Sequence, residues 1–277
     1  MRRKKKGRFV LSTFLIVVFG ILVLAYIFVL YLFKIRNMNV IGNRTVPKEE
    51  IIDLSGVHVG DNYLLLDERS MKERLETNRY LEYITSQFDY SGTLTIRLNE
   101  RHAMGILQRN GYHYVIDDRG MVLENTGMSY PEGIHCPIVN GLNLPDSAMI
   151  LSGEIVGVKD REQLVALSRV LKALDATNMM GRTASVEMSN LENIYIMTTE
   201  RARVVLGEAE NLRLKLIVAR EILHQRQDQE NLTGASIDIS NGREAHYIPA
   251  VLPTPTATPS PTPTLEPTPK PTPRPKK

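Results

Sequence analysis

Residues 9–33 read FVLSTFLIVVFGILVLAYIFVLYLF, a run without one charged side chain. At a helical rise of about 1.5 Å per residue it reaches roughly 37 Å, enough to cross a hydrocarbon core of about 30 Å with some tilt. Only a helix satisfies its own backbone in a single passage through lipid. The run therefore predicts one transmembrane helix, and everything after it must fold on one side of a membrane. The competing reading is a cleaved signal peptide. Against that, the apolar core exceeds the roughly 7–15 residues of a signal sequence, and no small-x-small cleavage site follows.

Charge sets the orientation. Arg2, Arg3, Lys4, Lys5, Lys6 and Arg8 precede the run, whereas only Lys34 and Arg36 follow it closely. Positive charge stays in the cytoplasm, so the head (1–8) is inside and the bulk outside. Tyr26, Phe28, Tyr31 and Phe33 crowd the outer end, where amphipathic rings favour the interface. The net charge of +3 misleads, because the head and the tail hold ten of the 34 Lys and Arg but only one of the 31 Asp and Glu. The middle, 34–250, carries 24 basic against 30 acidic residues. An acidic outer part lacks the basic footprint of a nucleic-acid binder; the basic head is a topology signal and an anionic-lipid contact. With Cys136 alone there is no intrachain disulfide, so core packing must hold the fold.

From the membrane outward, 35–41 reads as a strand. A helix over 48–54 follows, with Thr45 as its cap and Pro47 in its first turn. A second helix runs from a cap at Asp67 to about residue 79, with Glu68 and Lys72 at i, i+4 spacing. Strands 84–89 and 93–98 then form a hairpin around Ser91 and Gly92, with Leu94, Ile96 and Leu98 facing inward. The order is β-α-α-β-β. Further out, strands 103–108 and 112–116 flank an Asn110-Gly111 turn. Strands at 121–124 and 137–139 follow, then an amphipathic helix over 160–174, three strands (184–188, 194–198, 202–206), a second helix over 209–224, and last strands at 235–239 and 244–248. From 249 the composition changes: eleven of fifteen prolines lie in the last 29 residues, mostly as Thr-Pro repeats. Such a tail is expected to be extended and disordered, a spacer or a wall-associated segment.

This pattern resembles the FtsQ/DivIB family of bacterial cell-division proteins. VIGNRTVPKEEI (40–51) is similar to the family's opening after the span, GTLTIRLNER (92–101) to its T-L-x-I strand, and YVIDDRGMVLE (114–124) to its Y-x-L-I-D-x-x-G stretch. LGEAENLRLKL (206–216) and SIDIS (236–240) match its last helix and penultimate strand. Two departures, Ser91-Gly92 and His102-Ala103 where relatives carry proline, leave the fold intact. The resemblance implies an α+β protein: cytoplasmic head 1–8, transmembrane helix 9–33, a POTRA domain over 34–102, a mixed β-domain with two helices over 103–248, and the tail 249–277. It further implies a non-enzymatic scaffold at the division septum. Such a scaffold gathers the single-span FtsB (or DivIC) and FtsL proteins and through them regulates septal peptidoglycan synthases. A partner's strand would pair with Glu244, Ala245, His246, Tyr247 and Ile248, with Tyr247 as anchor. The competing placement for Tyr247 is against the last helix.

Nothing in the chain reads as catalytic. There is no P-loop, HExxH, GxSxG or SxxK. His135 and Cys136 are neighbours on an extended chain and point to opposite faces, so neither can serve the other as base. Asp117-Asp118 lies in a D-D-R-G turn, where Asp bonds its own backbone. The six histidines lack metal-ligand spacing, and no cofactor is expected. A membrane-anchored wall-binding or wall-modifying protein is the alternative, resting on location and the tail; a POTRA-type chaperone for outer-membrane barrels is weaker, since a span precedes and no barrel follows.

Overall fold

The computed structural model describes residues 3–145, 149–227, 232–242 and 244–250. The Thr-Pro repeats expected to be disordered fall in 251–277, outside the described residues. The fold is α+β. Helix α1 (Arg3–Leu32) contains Ser12–Leu32, long and apolar enough to cross a membrane once. None of that stretch is buried against the rest of the chain, as suits a helix apolar all round.

The chain enters its first domain with no linker. Phe33 N–H still bonds the helical carbonyl of Val29, and Ile35, two residues on, is fully buried. Strand β1 (Asn37–Ile41), helix α2 (Lys48–Ser55), helix α3 (Glu68–Leu75), β2 (Leu81–Phe88) and β3 (Thr93–Glu100) give the expected β-α-α-β-β order. The sheet order is β1-β3-β2, with β1 parallel and β2 antiparallel to β3. Leu94, Ile96 and Leu98 face inward onto Ile51, Met71 and Leu75 of the two helices. Asp67 caps α3 by accepting from the N–H groups of Arg69 and Ser70.

Four local expectations need correcting. The strand begins at Asn37 because the backbone of residues 35 and 36 is already bonded to Gly60, Asp61 and Gly92. Thr45 does not cap α2; Pro47 occupies the cap position and makes no side-chain bond. The free N–H groups of Arg44, Thr45 and Val46 instead converge on the carboxylate of Glu100, at 2.5, 3.0 and 3.4 Å. Helix α3 stops at Leu75, with Thr77 Oγ1 bonding the Arg74 carbonyl. Its side-chain pairs are Arg69–Glu73 and Lys72–Glu76, while Glu68 accepts from the Tyr83 hydroxyl.

The second domain is built on one nine-stranded sheet. Its elements are β4 (Gly105–Arg109), β5 (Tyr112–Ile116), β6 (Val122–Gly127), β7 (Ile138–Asn140), α4 (Arg161–Ala176), β8 (Thr183–Glu187), β9 (Ile194–Thr198), β10 (Arg203–Gly207), α5 (Leu212–Gln227), β11 (Ser236–Asp238) and β12 (His246–Ile248). The strand order is β12-β11-β10-β9-β8-β7-β4-β5-β6. Asn110 and Gly111 both take positive φ, as the two-residue β4–β5 turn demands. Both helices pack on one face. Leu167, Val170, Leu171 and Leu174 of α4 and Leu216, Ala219 and Leu223 of α5 share a core with Val186, Ile196, Val204 and Ile237.

An ionic joint fastens the two domains. Arg101 Nε lies 3.5 Å from Asp117 Oδ2, and Arg101 also reaches Glu82 at 3.5 Å. Glu82 accepts from Arg119 as well, and the Tyr80 hydroxyl donates to Glu124.

Candidate functional site

A sheet ends in two edges, and each edge strand presents unpaired backbone groups unless something covers it. Here the two edges differ. At the start of β6 the chain covers its own border: Val122 N–H bonds Glu154 O at 2.9 Å, Gly153 N–H bonds Val122 O at 2.7 Å, and Val156 N–H bonds Gly120 O at 2.8 Å. At β12, β11 is the sole strand partner among the described residues.

The local sequence explains how β12 is presented. Ile237 and Ile239 are buried and seat β11 beside β10. The Asp238 carboxylate then accepts from Ser240 N–H at 2.9 Å and turns the chain; those Ser240 bonds hold it below the usual aspartate value. Gly242 has φ +67°, a conformation that suits glycine, and its N–H returns to Ile239 O. Beneath the turn, Lys215 Nζ donates to the carbonyls of Leu206 and Glu208 at 2.6 and 3.2 Å. Burial lowers its pKa.

The five residues expected at the edge are not equivalent. Glu244 N–H bonds Asn241 Oδ1 at 3.1 Å, which leaves Glu244 and Ala245 in the approach to the strand. The strand itself is His246, Tyr247 and Ile248, opposite Asp238, Ile237 and Ser236. Tyr247, paired with buried Ile237, points to the helix face, where the Arg226 guanidinium lies 4.4 Å from its ring centre. Its ring packs at the core margin, so the side chain faces its own last helix. His246 and Ile248 stand exposed on the other face, Ile248 by 56%.

Sequence reasoning missed two parts of this neighbourhood. Arg226 reads as an ordinary basic residue of the last helical turn. Leu214, Ile217 and Val218 remain exposed on α5. Leu214 and Val218 border a notch floored by Ile239, Gly242 and Ala245. Their i, i+3, i+4 spacing is visible in the sequence, but the inward stripe of the same helix hides it.

The other candidates are structural. Asp117 Oδ1 accepts from Arg119 and Met121 N–H, both at 2.8 Å, and burial pushes its carboxyl up. Cys136 Sγ donates to the Ala103 carbonyl at 3.1 Å. Burial pushes this thiol up to about 11, so it is neutral at pH 7 and a poor nucleophile.

Residues 33–101 match the model for the POTRA domain, FtsQ-type, and residues 105–240 match that for cell division protein FtsQ/DivIB, C-terminal. The chain belongs to the FtsQ/DivIB family. Among curated relatives, cell division protein FtsQ of Geotalea daltonii is 27% identical over 134 residues, 48% of either chain. DivIB of Clostridium tetani is 24% identical over 75% of this chain and 76% of its own. DivIB of Clostridium botulinum is 25% identical over 89% and 93%. The chain thus spans about half the length of the first relative and most of the other two. Among solved structures, the extracytoplasmic domain of DivIB from Geobacillus stearothermophilus aligns with 48% of this chain and 98% of that one, at 13% identity and a TM-score of 0.30, too distant to compare residues. The C-terminal family match ends at residue 240, before β12 begins.

Proposed function

We propose that the protein is a single-span scaffold of the division machinery that holds single-pass partners of the FtsB/DivIC and FtsL type by strand addition to β12. The head would be cytoplasmic, the two domains extracytoplasmic, and septal peptidoglycan synthases would be regulated through those partners. The observation that carries the reading is the asymmetry of the nine-stranded sheet, with residues 153–156 covering one border at the start of β6 and the other border ending on β12.

Family membership and the cell-division names of the relatives support the cellular role. The edge supplies the mechanism: backbone donors and acceptors give affinity, and alternate side chains give selectivity. A strand laid along β12 would meet Ile248 and His246 on one face. On the other it would approach Leu214 and Val218, apolar area that a partner would cover. Tyr247 contributes by fixing the edge against α5 through Arg226. Pro249 has no N–H, so any ladder must stop there.

Capture of candidate single-span partners on the full chain in detergent tests this. Truncation after Asn241 removes the edge and should abolish capture. The N–H groups of His246 and Ile248 point to one side of the strand and that of Tyr247 to the other; proline at the positions whose N–H points outward should weaken capture, while Tyr247→Phe should not. Unchanged capture by the truncated chain would sink the proposal.

A further inference from the structure

We propose that the first domain docks on the outer leaflet of the membrane through a second contact, a cluster of exposed apolar side chains flanking the exit of α1. The ligand is the lipid interface itself. The inference rests on reading α1 as a membrane span.

Distances fix the level of this cluster. Asn62 Nδ2 donates to the carbonyl of Leu30 at 2.6 Å, and Leu30 lies within the crossing helix. Tyr63 N–H bonds Phe33 O at 2.9 Å, and Ile35 and residues 60–61 exchange backbone bonds at 2.8 Å. Tyr63, Phe88 and Phe33 stack, with ring centres 4.9 and 5.9 Å apart. The loop over 59–65 is therefore pinned to the last turn of the span. Residues 63–65 form a 3-10 turn, so from Asn62 to Leu65 the chain advances only about 6 Å, at roughly 2 Å per residue. The headgroup layer is roughly 5–8 Å thick on each side. These residues thus cannot stand clear of the membrane surface.

What they present there is apolar. Leu65 is 73% exposed, Val59 65% and Leu64 51%. On the other side of the exit, Gly92 O accepts from the N–H groups of Arg36 and Asn37 at 2.7 and 3.2 Å, which holds the turn over 89–92 at the same height. Its tip, Tyr90, is wholly exposed. Two leucines, a valine and a tyrosine held against water by a rigid frame are the residue types that favour the membrane interface.

The charges nearby are compatible with this. Lys34 and Arg36 suit anionic headgroups. Asp61 accepts from His58 N–H at 2.8 Å, and Asp89 from Ser91 and Thr93 N–H at 2.9 and 3.0 Å, so both carboxylates are bonded within their loops. Asp67 is occupied as the α3 cap.

The test uses the full chain with Cys136→Ala in vesicles of phosphatidylethanolamine and phosphatidylglycerol. An environment-sensitive fluorophore is placed singly at Leu65→Cys, Tyr90→Cys, Val23→Cys within the span, and Glu210→Cys in the second domain. A lipid with a nitroxide near the head of its acyl chain should quench the Leu65 and Tyr90 probes and blue-shift them, and leave Glu210 unaffected. Adding Leu64→Glu and Leu65→Glu to the Tyr90→Cys chain should remove most of the Tyr90 quenching. Leu65 and Tyr90 probes that behave like Glu210, with Val23 still quenched by a deeper nitroxide, would overturn the docking alone. An unquenched Val23 would overturn the membrane span as well.

Discussion

Arg101 and Asp117 face each other at 3.5 Å across the boundary between the two domains, with Asp117 only 1% exposed. Asp117 Oδ2 and Arg101 Nε make no hydrogen bond, so the ion pair is their compensation for burial. Removing one partner of a buried pair leaves an uncompensated charge, which typically costs about 3–5 kcal/mol.

Arg101→Met should therefore lower stability by about 3 kcal/mol. Asp117→Asn should cost less, because an amide oxygen can keep the turn bonds from Arg119 and Met121. The double variant should be more stable than Arg101→Met alone. Urea unfolding of the full chain in detergent checks the cycle; additive losses would show that the pair is not coupled.

Glu100 gives a pH dependence. Burial raises its pKa, but the N–H groups of Arg44, Thr45 and Val46 outweigh that and hold it below the ordinary 4.5. A depressed carboxylate contributes stability above its unfolded pKa, and that contribution is lost as pH falls through the folded value. Glu100→Gln should lower stability by about 1–2 kcal/mol at pH 7. Its urea midpoint should also fall less steeply than wild type below pH 4.5.

The β-α-α-β-β order, the Asn110-Gly111 hairpin and the Asp67 cap were legible because each rests on local chemistry: alternation, turn preference or a capping oxygen. The role of Glu100 was not. Thr45 is a good cap by type, yet the donors are satisfied by a carboxylate 55 residues away in sequence. The joint at Arg101 was hidden for the same reason, since its partners come from both domains. The orientation of Tyr247 toward α5 depends on register against Ile237, which a three-residue strand does not reveal alone.

Gly42 is fixed by space. Its φ is +104°, and a Cβ there would lie 1.9 Å from the Leu98 carbonyl oxygen. Gly42→Ala must move β3 or the loop, and should cost more than about 2 kcal/mol. Thermal unfolding of the full chain should show a clear drop in midpoint, whereas Gly181→Ala, with open space around it, should not.

Arg226 should act on the edge from a distance. Arg226→Gln removes the cation over the Tyr247 ring, worth about 0.5–1 kcal/mol at such a site. Amide exchange at residues 246–248 should quicken while that at 203–207 stays unchanged. Equal effects on both strands would mean that Arg226 supports the whole domain and not the edge.

Hydrogen exchange of the full chain with and without a captured single-span partner tests the central claim most directly. Strand addition predicts new protection at residues 246–248, centred on the edge, with little change along β6. Unaltered exchange at 246–248 alongside protection elsewhere would contradict it.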